Sequence, residues 1–195
     1  MKIASIVEGD GEVIALPILL RRLAEWRTPE QYQDVPTPIR VRRDRFLNRD
    51  DEFRRHMLLA ASKCGHDGWI LVLLDADDDC PVTRSAEILR RAQACVPHRR
   101  ISVVLANREY EAWFIAAAAS LNGHRGFVFD PIDTTEPESL RNAKGWITSR
   151  MADRAYGETT DQPAFTARID LQLTFARSRS FRKLCSEWDR QTLGH

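Results

Sequence analysis

The chain has 195 residues, of which 43% are hydrophobic and 29% charged, and its 29 Lys and Arg against 28 Asp and Glu leave a formal net charge of +1. That length suits one domain burying about 70% of its unfolded surface, and the near balance of charge argues against indiscriminate polyanion binding. No apolar run approaches the roughly 20 residues that span a bilayer, and the N-terminus lacks the basic-then-apolar pattern of a signal peptide.

In chain order, residues 2–7 read as a short strand, followed by the glycine turn Glu8-Gly9-Asp10-Gly11-Glu12 and an apolar-rich helix over 13–26. Residues 36–46 read as a second strand, with Ile39 and Val41 alternating against arginines. Asp50 or Asp51 is placed to cap a helix over 52–64, whose Phe53, Met57, Leu58 and Ala61 recur at helical spacing and which Gly65 ends. A hydrophobic strand over 69–74, a helix over 83–95 stopped by Pro97, a strand over 101–106 and an alanine-rich helix over 109–121 follow. Alternating strands and helices predict an α/β fold with a largely parallel sheet.

Beyond Gly123 the pattern loosens. Loops are expected over 130–137 and 157–163, with a helix somewhere within 139–155. Asp161 and Pro163 are placed to open a helix to about residue 175, and Ser180 to cap a last one from Phe181. Phe165, Ile169 and Leu173 are spaced for one buried face, and Phe181, Leu184 and Trp188 for another. A single domain is expected, with its core over 1–122 and a helical C-terminal elaboration over 123–195.

The chemistry concentrates where the strand Trp69-Ile70-Leu71-Val72-Leu73-Leu74 runs into Asp75-Ala76-Asp77-Asp78-Asp79. Strand side chains alternate, so Asp75 and Asp77 share a face if the strand continues through them. Two carboxylates about 4 Å apart repel by roughly 4 kcal/mol at an effective dielectric of about 20. A divalent cation would offset that repulsion, because Mg²⁺ takes carboxylate oxygens and keeps several waters. A polar turn after a buried strand accounts for the same residues. If the first and third strands are parallel neighbours, Glu8 joins the aspartates at the carboxyl edge, where open α/β sheets place their sites. Glu109 and Glu111 follow the fourth strand to that edge, or else form the acidic first turn of a helix.

Arg40, Arg42, Arg43, Arg45, Arg49, Arg54 and Arg55 crowd one segment. They suit a phosphate backbone beside an acidic metal site, or a solvated surface paired with Asp44, Asp50, Asp51 and Glu52. Cys64, Cys80, Cys95 and Cys185 are scattered without a Cys-x-x-Cys pair, which fits reduced thiols in a cytoplasmic protein. The five histidines show no zinc-ligand spacing.

Val7-Glu8-Gly9 closing the first strand and Asp75-Ala76-Asp77 closing a later one resemble the toprim pattern of topoisomerases, primases and nucleases related to the overcoming-lysogenization-defect proteins. Together with Glu109-Tyr110-Glu111-Ala112-Trp113-Phe114, Thr160-Asp161-Gln162-Pro163, Ile169-Asp170-Leu171 and Ser180-Phe181, the chain resembles a toprim-like bacterial family catalogued as domain of unknown function 4276. The resemblance implies a toprim-like fold over nearly the whole chain. It implies Glu8 as general acid/base or metal ligand, and Asp75 and Asp77 as holders of Mg²⁺ or Mn²⁺. Glu12, Glu109 and Glu111 match further acids of the family pattern. Arg42, Arg43, Arg45 and Lys144 are candidate contacts to nucleic-acid phosphates.

The expected activity is Mg²⁺-dependent phosphodiester hydrolysis of DNA or RNA. The resemblance further implies an ATP-binding-cassette-type ATPase partner in anti-phage defence. The C-terminal elaboration is its expected contact, because the catalytic sheet edge must stay open to substrate. Two other readings stand beside it. One is a non-catalytic toprim-like module partnering an ATPase. The other is a different Asp-x-Asp metal enzyme such as a glycosyltransferase, which has no need of the glutamate after the first strand. A haloacid-dehalogenase phosphatase would want a nucleophilic aspartate where this chain has Glu8.

Overall fold

The computed structural model describes residues 1–194. Strands β1 (Ile3–Val7), β2 (Ile39–Arg40), β3 (Trp69–Asp75) and β4 (Arg100–Ala106) form one parallel sheet in the order β2-β1-β3-β4. All of β1 and the first six residues of β3 are buried. Continuous apolar runs of this kind are what a parallel sheet covered on both faces demands.

The alternation of the strands sorts the core into two layers. Ile6, Ile70, Val72 and Val103 face α3 (Asp50–Cys64) and α4 (Pro81–Cys95), where they meet Phe53, Met57 and Ile88. Trp69, Leu71, Leu73 and Val104 face the other way, toward α1 (Asp10–Arg27), α5 (Ala112–Ala116) and α9 (Arg179–Thr192). Phe181, Leu184 and Trp188 of α9 are fully buried in that second layer, and the Trp188 ring meets Trp69 edge-on at 6.0 Å. The C-terminal helix α9 therefore shares with α1 and α5 the covering of this face of the sheet. Among the described residues no helix is long and apolar enough to cross a membrane, and the four cysteines are free.

Several local expectations change. The strand expected over 36–46 shrinks to β2, and the arginine-rich stretch continues as helix α2 (Arg43–Asn48). Neighbouring Phe46 and Leu47 are both buried, Phe46 stacked on Phe53 at 4.7 Å. A strand would send one of that pair to each face. Asp50 and Asp51 do not cap α3 but sit in its first turn, where the helix dipole favours carboxylates. Gly65 ends α3 at φ +73°, as expected.

The helix expected over 109–121 begins only at Ala112 and gives way to a 3₁₀ turn over Ala118–Leu121. After β4 the chain turns sharply at Arg108 (φ +69°), and the Tyr110 N–H is spent on Asp75. The helix expected somewhere within 139–155 is α6 (Ala143–Thr148). The loop expected over 157–163 is instead helix α7 (Glu158–Thr166), which contains Pro163. Asp170 caps the separate helix α8 (Leu171–Arg177), and Ser178, not Ser180, caps α9 by accepting the Phe181 N–H.

Candidate active site at the carboxyl edge of the sheet

The parallel register brings the ends of β1, β3 and β4 together. Ile6 lies beside Val72, and Asp75 beside Ala106. Glu8 follows β1, Asp75 is the last residue of β3, and Glu111 enters from the turn after β4. Glu12 comes from the first turn of α1. Main-chain groups hold two of these carboxylates in place. The Asp75 N–H donates to Glu8 Oε1 at 2.7 Å, and the Tyr110 N–H to Asp75 Oδ1 at 2.8 Å.

Behind them lies a buried polar group that spans the two halves of the chain. Gln162 Nε2 of α7 reaches Glu12 Oε1 at 3.5 Å and Glu111 Oε1 at 3.4 Å. The Tyr156 hydroxyl donates to the same Glu111 oxygen at 3.0 Å. Glu12 Oε2 and Glu111 Oε2 are buried and have no hydrogen-bond partner among the described residues. An unpartnered buried carboxylate oxygen is costly.

The two glycines of the opening turn serve this packing. A Cβ on Gly9 would run into the Glu12 carboxylate, and one on Gly11 into Gln162 Oε1 and the Glu158 carbonyl. Gly9 thus leaves room for the site carboxylate, and Gly11 for the close approach of α7 to α1.

Electrostatics confirm how crowded the acids are. Burial first, then repulsion from Glu111, Glu8 and Glu12, pushes the Asp75 carboxyl well above the usual range. Burial also raises Glu8, against the Asp75 N–H and the Arg43 charge. Burial takes Glu111 to about 7, with Lys144 and Tyr156 opposing the shift. Lys144 is the nearby countercharge. Its Nζ meets Glu158 Oε1 at 2.8 Å. Burial opposes its charge, yet Glu111, Glu158 and Asp75 hold the ammonium well above the ordinary lysine range.

Asp77 departs from its expected place. β3 ends at Asp75, and Asp77 turns with φ +50°, so the shared strand face supposed for the two aspartates does not exist. The Asp77 carboxylate is mostly exposed and meets Arg43 at 3.3 Å. Arginines also neutralise the rest of that loop: Asp79 pairs with Arg43 at 3.0 Å, and Asp78 with Arg108 and with Arg141 at 3.2 Å. Glu109 lies at the rim, its Oε2 3.4 Å from the Lys144 N–H.

The basic segment divides as well. Arg43 faces the acidic loop, while Arg42 and Arg45 are exposed and line a 210 Å³ recess with Arg40, Arg55 and His56. Sequence reasoning missed Tyr156 and Gln162. It also missed Asp161, fully buried and clamped by Arg125 and Arg154. A signal existed for two of these, because Asp161 and Gln162 stand in the tail motif Thr160-Asp161-Gln162-Pro163.

The donor chemistry suits a hard divalent cation: carboxylate oxygens, two of them buried without partners, with excess negative charge. Among the described residues no three His, Cys, Asp or Glu side chains stand close enough to ligate one ion as they are. Protein ligands would have to be few and water would complete the set, the usual manner for Mg²⁺.

Fold and site together define a parallel α/β protein with a carboxylate centre at its strand ends. The chain belongs to the family described as Domain of unknown function (DUF4276), whose model matches residues 7–188. No curated protein and no solved structure matches it.

Proposed function

We propose that this protein is a Mg²⁺- or Mn²⁺-dependent phosphodiesterase acting on DNA or RNA. One observation carries the reading: four carboxylates from three strand ends and a helix start lie near enough at one edge to repel, with two buried oxygens unpartnered. Such charges are costly to collect without a cation to share, and Lys144 offsets only part of them. Glu8 and Asp75 would hold the metal with water completing the set, Glu12 and Glu111 would add carboxylate charge behind them, and Asp77 would reach in only by leaving Arg43. A metal there would polarise the phosphate and lower the pKa of bound water.

The chain's own residues do the rest. Glu8, partly buried and with its pKa raised by that burial, is suited to take a proton. Gln162 and Tyr156 orient Glu12 and Glu111. Lys144 offers a positive charge to a phosphate oxygen once its hold on the carboxylates is relaxed. Arg42 and Arg45 lie outside the acidic loop, free to meet neighbouring phosphates. The toprim-like assignment, the ATP-binding-cassette-type ATPase partner and the role in phage defence rest on the sequence resemblance.

The test is cleavage of labelled single- and double-stranded DNA and RNA with Mg²⁺ or Mn²⁺. Activity in the wild type that drops about a hundredfold or more in Asp75→Ala and Glu8→Gln supports the reading. Metal binding without cleavage of any of these substrates points to the second reading, a non-catalytic module. That reading is favoured by the Lys144 ammonium, which already neutralises part of the cluster.

A further inference from the structure

β4 is an edge strand, paired with β3 on one side only. The Ala76 N–H donates to the Ala106 carbonyl, so the main-chain groups of Ala106, Val104 and Ser102 face β3. In a strand successive residues face opposite edges. The N–H and C=O of Val103 and Leu105 therefore point away from the sheet, and no other group engages them among the described residues. They open into a groove of about 560 Å³ between α4 and α9, a size within the usual 300–1,000 Å³ of ligand pockets.

The walls of the groove differ. On the α4 side, Val82, Ala86 and Leu89 recur at helical spacing, Leu89 also packing against the core of Ile88 and Ala92, and Val82 is 77% exposed. On the α9 side lie Arg179 and Lys183, with Arg190 close by on Ser102 Oγ, against the single carboxylate of Glu187. Lys183 and Arg190 both pair with Glu187, while Arg179 has no acidic partner among the described residues. None of the candidate active-site residues lines this groove.

We infer that the β4 edge binds an extended segment of another protein, apolar at alternate positions and acidic at its flanks, which adds a fifth strand to the sheet. Main-chain pairing supplies affinity in strand addition, and side-chain pockets supply specificity. The outward groups of Val103 and Leu105 call for a strand's hydrogen bonds, which a helix cannot provide. The basic α9 rim selects acidic flanks. A second copy of this chain fits poorly, because twofold pairing of β4 with itself would set α9 against an antiparallel α9 and bring two basic rims onto one face. The inference does not depend on the catalytic reading.

The probe is a fluorescein-labelled peptide alternating valine and threonine with glutamates at both ends, titrated against the full chain by fluorescence anisotropy. Saturable binding is expected, weakened about tenfold or more by Arg179→Glu and by Ala86→Arg, which fills the groove without touching the core. N-methylation of the peptide at the alternate residues that face β4 should abolish binding, and N-methylation of the others should not. Four outcomes overturn the inference: no saturable binding, equal binding of a lysine-flanked peptide, indifference to N-methylation, or a dimer of the chain alone that Ala86→Arg dissolves.

Discussion

Asp161 and Glu111 are both fully buried carboxylates, yet the fold treats them in opposite ways. Asp161 accepts from Arg125 Nε at 2.6 Å, from both terminal nitrogens of Arg154 at 2.5 and 2.6 Å, and from the Gly157 N–H at 2.8 Å. Burial would raise its pKa, but Arg154, the Gly157 N–H and Arg125 bring it down to about 2. Glu111 has Tyr156, a long contact to Gln162 and the more distant Lys144, and burial carries it to about 7. Every lone pair that matters on Asp161 is used, whereas Glu111 Oε2 has no partner. The first is a fastener that ties the 125 and 154 segments to the start of α7. The second is a carboxylate left short of partners, a perturbation of the kind that clusters at functional sites.

The sharpest way to break this comparison is to remove the fastener. Asp161→Ala strips the clamp of its acceptor and leaves two arginines facing each other. A loss of about 3 kcal/mol is expected, roughly 6–12 °C in melting temperature for a chain of this size. A loss below a third of that would show that the clamp is ornamental.

The next largest effect separates the two groups by pH. Glu111 has a folded pKa raised from 4.5 to about 7, so the native state holds its proton more tightly than the unfolded chain. Its contribution is full below about pH 4.5 and is lost as pH rises through about 7. Asp161 has the opposite sign: its contribution is full above about pH 4 and fades only as pH falls toward 2. Between pH 5 and 8 the metal-free protein should therefore lose about 2 kcal/mol from Glu111, read by denaturant unfolding. Glu111→Gln keeps an acceptor for Tyr156 and should flatten this profile, melting above the wild type at pH 8 and level with it at pH 5. An unchanged slope in the variant would show that Glu111 is not perturbed in this way.

Metal should relieve the same perturbation. At ten times the dissociation constant, Mg²⁺ or Mn²⁺ is expected to stabilise the wild type by about 1.4 kcal/mol. Asp75→Ala should respond much less, and Asp161→Ala, folded at low temperature, should still respond. Equal gains in wild type and Asp75→Ala would sink the metal assignment.

The smallest stability effect belongs to the exposed arginines. Arg42→Ala with Arg45→Ala should shift stability by less than about 0.5 kcal/mol, because neither makes an ion pair among the described residues. Nucleic-acid affinity should nevertheless fall, and the slope of log K against log salt should shrink by about 0.9 for each lost duplex phosphate contact. An unchanged slope would return these residues to ordinary surface duty.

What the sequence alone determined was local and periodic. The hydrophobic runs of β1, β3 and β4, the helical spacing of α3 and the stop at Gly65 are short-range patterns, and they carried the parallel α/β class with them. They also carried Glu8, Asp75 and Glu111 to one edge, because parallel strands put their following residues side by side. What only the tertiary structure decided involved partners far apart in the chain. The pairing of Gln162 with Glu12 spans 150 residues, so no local pattern reveals it. Asp77 left its expected face because β3 ended two residues earlier, and Arg43 became helical because Phe46 and Leu47 both found burial. The C-terminal helices read as an elaboration because their apolar faces are short, but Trp188 and Phe181 were needed to cover Trp69 and Trp113. Periodicity says that a face is buried, and only the assembled chain says against what.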